Sequence, residues 1–195
     1  RHNVSQVYVD LTGPALSYQY LGQKFVKGDS IFINSETQIK LAAIDPESGL
    51  QKITYTNKSN SEEQTYEKPF SIAESGTHKI NYFGYDNVNN RNIADFVLVV
   101  DNEGPEIYSH YSISPNSVEN GLEIYPSYVN IFLAATDLQT GYDDIMYSIN
   151  GAPNVVYKGM LQGFEKNKNY TIKVSAIDKL GNQTETEIIF KTDKF

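Results

Sequence analysis

The stretch LAAIDPESG, Leu41 to Gly49, is written again as LAATDLQTG, Leu133 to Gly141, 92 positions further along. In the first, Ile39, Leu41 and Ala43 fall on one side at a period of two, and Ile131, Leu133 and Ala135 repeat that row. Such alternation marks a strand with one face inward. The Asp and Gly that follow are turn formers. Working outward, VDLTGP (Val9 to Pro14) matches VDNEGP (Val100 to Pro105) at a spacing of 91. Tyr55 then falls on Tyr147, Asp86 on Asp178, and Val99 to Asp101 on Lys191 to Asp193, each 92 apart. Landmarks kept in order at constant spacing make the chain two copies of one unit. The expected domains are residues 1–101 and 102–195, with DNEGP as the link between them.

A second row supports strands throughout each copy. His78, Ile80, Tyr82 and Gly84 alternate in the first copy, and Tyr170, Ile172, Val174 and Ala176 alternate in the second. Turn signals such as PESG, AESG, NSVENG and KLGN separate the runs. No segment carries a helical period. About seven short strands per copy of some 90 residues fit a two-sheet sandwich. The expected fold class is all-β: two tandem immunoglobulin-like (fibronectin III-like) antiparallel β-sandwiches. A single closed barrel is disfavoured by the linker-like DNEGP in the middle.

Composition removes several function classes. Sixteen basic against 24 acidic residues give a net charge of −8, which repels a phosphate backbone and argues against nucleic acid as partner. The absence of cysteine removes disulfides, thiolate zinc sites and thiol catalysis. No run approaches the roughly 20 apolar residues that span a bilayer, so this segment is not expected to insert into a membrane. There is no G-x-S-x-G, H-E-x-x-H or P-loop. Acid pairs such as Asp143-Asp144 fall in apparent loops, and nothing suggests two carboxylates converging in a cleft. No catalytic residue, and no enzyme activity, is expected.

The pattern A-x-D-x-x-(S/T)-G, then I-x-Y, then H/Y-x-I and D-x-x-x-N, resembles bacterial immunoglobulin-like surface repeats. It is also similar to the C-terminal accessory module of chitobiase-type glycosidases. NYTIKVSAID, Asn169 to Asp178, looks like the tyrosine-corner strand of fibronectin type III domains, with Tyr170 as the corner. The first copy departs by placing His78 there. VVDNEGP resembles the Asp-Asn linker of cadherin repeats without their full calcium signature. The resemblance implies a non-enzymatic extracellular, cell-surface or periplasmic module, serving as stalk, spacer or adhesion surface towards a protein or glycan. The alternative it implies is an accessory, carbohydrate-contacting domain pair of a secreted glycan-active enzyme.

Two sets of candidate site residues remain. In an immunoglobulin-like topology Asp10, Asp45 and Asp86 should gather at one pole of the first copy. Asp101, Glu103, Asp137 and Asp178 should do so at the matching pole of the second. Each Asp either accepts N–H bonds within its own turn, or the acids together hold calcium as a cofactor, since hard cations take several oxygen ligands from acidic loops. The Tyr-rich segment from Ile107 to Asn130 offers Tyr108, Tyr111, Tyr125 and Tyr128 either as an aromatic platform for sugars or as ordinary strand residues.

Overall fold

The computed structural model describes residues 7–57 and 60–194, with the side chains of residues 60 and 61 outside that description. The chain divides into two compact units, Arg1–Asp101 and Asn102–Phe195. The first contains β1 (Ala15–Leu21), β2 (Lys24–Lys27), β3 (Ser30–Ile33), β4 (Gln38–Ile44), β5 (Leu50–Asn57), β6 (Asn60–Thr65), β7 (Gly76–Asp86) and β8 (Arg91–Val100). The second repeats them as β9 (Glu106–Tyr111), β10 (Ser117–Glu119), β11 (Leu122–Tyr125), β12 (Ile131–Thr136), β13 (Tyr142–Ile149), β14 (Val155–Val156), β15 (Asn169–Asp178) and β16 (Gln183–Thr192). The described residues include no helix long and apolar enough to cross a membrane.

In the first unit β1 and β4 form one sheet and β2-β3-β8-β7-β5-β6 the other. In the second, β9-β12 and β10-β11-β16-β15-β13-β14 reproduce both orders. Each unit is therefore a β-sandwich, as the alternation in its sequence requires. Ile39 and Leu41 on β4, and Ile80 and Tyr82 on β7, are buried with Leu98 and Val100 on β8. Ile131, Leu133 and Ala135 pack with Ile172, Val174 and Phe190 in the second core. The sequence suggested about seven antiparallel strands per copy. The structure has eight, and one pairing is parallel: β3 lies along β8 with Ile33 opposite Val100, and β11 along β16 with Tyr125 opposite Thr192. Short runs such as SIFI carry too little alternation to fix a partner, and that partner lies across the whole unit in sequence.

The corner residues differ in chemistry but hold the same position. The Tyr170 hydroxyl accepts the Glu165 amide N–H at 2.7 Å. His78, buried, lies 2.7 Å from the Glu74 carbonyl through Nε2. A carbonyl can only accept, so Nε2 donates. The histidine keeps the corner with the hydrogen bond running in the opposite sense.

Three segments meet at one end of each sandwich. The antiparallel register sets Ala15 opposite Ile44, so the entry to β1 lies beside the exit of β4. Leu50 opposite Asp86 brings the start of β5 to the exit of β7. Both units also slip register just after this turn, between Leu50 and Lys52 and between Tyr142 and Asp144. Repetition of a bulge at one position shows that it belongs to the unit's design.

Candidate functional site

The acids that repeat in sequence anchor these turns. Asp45 follows β4, and its Oδ1 accepts the amides of Glu47, Ser48 and Gly49 at 3.0, 2.9 and 3.0 Å. The chain reverses around one oxygen, and Gly49 closes the turn at φ 82°, where a side chain would be strained. Asp86 is fully buried at the end of β7. Its Oδ1 accepts the amides of Val88 and Asn90 at 2.9 and 2.7 Å, while its Oδ2 accepts Asn90 Nδ2 at 2.7 Å. Asn90 Nδ2 also approaches the carbonyls of Asp10 and Thr12, tying the entry of β1 to the same turn. Asp10 accepts from Thr12 through Oδ1 and from the Ser48 amide through Oδ2, each near 3 Å.

The second unit repeats the scheme. Asp137 Oδ1 accepts the amides of Gln139, Thr140 and Gly141 at 3.0, 2.7 and 3.0 Å. Asp178, buried, accepts Leu180 and Asn182 amides at 2.8 Å each through Oδ1, and Asn182 Nδ2 at 2.8 Å through Oδ2. Thr140 Oγ1 bridges the two acids, 3.2 Å from Asp137 Oδ1 and 3.1 Å from Asp178 Oδ2. Asp101 ends the first unit with its side chain buried and its amide donated to the Ile33 carbonyl, whereas Glu103 in the second unit is exposed. The partners Asn90 and Asn182 join the site in the structure, and their sequence signal is the Asn four places after Asp86 and Asp178.

Asp10, Asp45 and Asp86 each bring a carboxylate oxygen within 4.8 Å of the others. Calcium wants roughly six to eight oxygens at 2.3–2.6 Å. Here Asp45 Oδ1, both oxygens of Asp86 and both of Asp10 already accept hydrogen bonds, and those bonds offset the mutual repulsion. Those hydrogen bonds close the turns, and the same three carboxylates place oxygens near enough together to meet at one ion.

Glu47 adds a fourth carboxylate beside Asp10. Hydrogen bonds from Ser48 and from the Thr12 amide hold the Asp10 carboxyl down at about 2, while contact with Asp10 raises Glu47 above its ordinary value. The two contributions have opposite sign. Asp10 stabilises the fold above about pH 4, and that stability is lost as pH falls from about 4 through about 2. Glu47, whose pKa is raised, costs stability when ionised at neutral pH and regains it on protonation. Glu47→Gln should therefore raise the melting temperature at pH 7, with the gain lost as pH falls through the raised value of Glu47 to its ordinary 4.5. Glu47 is exposed and Asp10 only half-buried, so the effect is small. A thermal melt series in which the variant gains nothing at pH 7 would show that Glu47 and Asp10 do not interact.

The four tyrosines divide. Tyr125 is buried and Tyr111 half-buried, and they stack at 4.4 Å and 5° against the second core. The Tyr125 hydroxyl donates to Glu123 at 2.8 Å. Tyr125 meets the Phe190 ring edge-on, as an ordinary strand residue turned inward does, and Tyr111 covers one of its faces. Tyr128 is 71% exposed in the turn before β12, and Tyr108 lies on the outer face of β9.

No family model matches the sequence, and no curated protein matches it. Among solved structures, the fibronectin(III)-like modules of Clostridium thermocellum CbhA are similar, with 10% identity, 92% of this chain and 94% of that chain covered, and a TM-score of 0.42.

Proposed function

We propose that the chain is a non-catalytic pair of β-sandwich modules that spaces or presents other parts of an extracellular protein. The observation that carries this reading is the state of the repeated acids. The polar side chains that both copies preserve are committed to closing the unit's own turns, through hydrogen bonds to Val88, Asn90, Leu180 and Asn182. A spacer needs independently closed units whose ends do not fray, and carboxylate-anchored turns supply them. An aspartate that accepts several amides from one turn also needs no ion to hold the loop.

The test is to pull the chain from both ends in a force microscope, with and without millimolar calcium. Two unfolding steps of similar force are expected, each releasing roughly 300 Å of chain, from about 90 residues at some 3.4 Å per residue. Calcium should change neither force. One merged step, or no resistance, would defeat the spacer reading, and a calcium-dependent force would assign the acids to an ion.

A further inference from the structure

The second unit carries an aromatic face that the first lacks. Tyr108 and His110 on β9, and Phe132 and Ala134 on β12, all point away from the core. The register sets Phe132 opposite His110, Ala134 opposite Tyr108 and Thr136 opposite Glu106. Tyr108 is 47% exposed and Phe132 42%, and the His110 and Phe132 rings lie 6.5 Å apart at 38°. Glu106 and Thr136 border Tyr108 on the same outer face.

The first unit supplies an internal control. At the equivalent positions of β1 and β4 it places Ser17, Gln19, Lys40 and Ala42, with Gln19 opposite Lys40 and Ser17 opposite Ala42. The same strands in the same sandwich thus form with a polar outer face. The fold does not demand three rings there.

The size and chemistry of the face select its occupant. An aromatic side chain offers about 150–250 Å², so at these exposures each of the two larger rings leaves on the order of 100 Å² open. That total falls far short of the roughly 800 Å² per partner of a stable protein interface. It suits a small, flat ligand. None of these face residues is Lys or Arg, which disfavours phosphate. Glu106, His110 and Thr136 border the rings with hydrogen-bonding groups. Apolar ring faces with a polar border complement a pyranose, which has an apolar C–H face and a rim of hydroxyls.

We propose that this face of the second unit binds a pyranose glycan, with Tyr108, His110 and Phe132 stacking on sugar rings and Glu106 accepting from their hydroxyls. This deepens the module reading above by naming a partner class, and it stands or falls separately from the force measurement. The experiment measures retention of the full chain on microcrystalline cellulose and chitin, and its retardation by soluble xylan in native gels. Binding to at least one of these is expected, weakened about tenfold by Tyr108→Ala or by Phe132→Ala. The triple variant Y108S/H110Q/F132K writes the first unit's face onto the second and should abolish binding while keeping a cooperative melt. Tyr128→Ala, outside the face, should bind as the parent does. No binding to any of the three polysaccharides, or binding unchanged in the triple variant, overturns the proposal. So does a concentration-dependent dimer that the triple variant dissolves, which would give the face to a second copy instead.

Discussion

Replacing Phe190 by alanine should destabilise the second unit by about 3–5 kcal/mol. Phe190 is fully buried at the centre of a ring cluster. Tyr170 stacks on it at 5.2 Å, while Phe164, Tyr125 and Tyr111 meet it edge-on at 5.1, 5.9 and 6.3 Å. Truncation removes the lining of four other rings at once, and these lie on four different segments (β9, β11, the loop before β15, and β15) that cannot all move into the space. Small domains have only about 5–15 kcal/mol in total, so this variant should bring the second unit close to its limit. The measurement is a denaturant titration followed by tyrosine fluorescence. An unmoved midpoint would show that the cluster collapses around the loss. The equivalent position in the first unit is Leu98, also buried, and that unit's transition should stay where it is.

The second large effect is expected at Asp178. Asp178→Ala withdraws a buried acceptor from the Leu180 and Asn182 amides, from Asn182 Nδ2 and from the Thr140 hydroxyl. Hydrogen bonds to a charged group contribute about 1.5–3 kcal/mol each, and their losses are not additive. A total on the order of 3 kcal/mol is expected. Asp178→Asn separates charge from shape. It keeps an oxygen for the two backbone amides but sets an N–H₂ group against Asn182 Nδ2, so an intermediate loss should appear. If the alanine variant unfolds at the parent's urea midpoint, the carboxylate is not what closes the β15–β16 turn. A loss equal in both variants would place the whole effect in the charge.

Much of this molecule is legible in the sequence because its determinants are local and written twice. The rows Ile39, Leu41 and Ile131, Leu133, Ala135 are inward because a strand alternates faces at every residue, and that period is visible without a partner strand. The repeated Asp and Gly announced their turns because an Asx turn bonds only to residues two to four places on. The gathering of Asp10, Asp45 and Asp86 followed once a sandwich topology was assumed, since strand direction alone sets which loops share an end.

Tertiary structure decided the rest. The parallel pairings of β3 with β8 and of β11 with β16 depend on which edge is left open after the hairpins form, and no local pattern encodes that. The tyrosines show the same limit. Tyr108 and Tyr125 are one residue type in one Tyr-rich segment, yet one ring lies on the outer face and the other is buried against Phe190. A side chain's own sequence neighbours fix its alternation. Which of the two faces is covered is fixed by the opposite sheet, built from residues far along the chain.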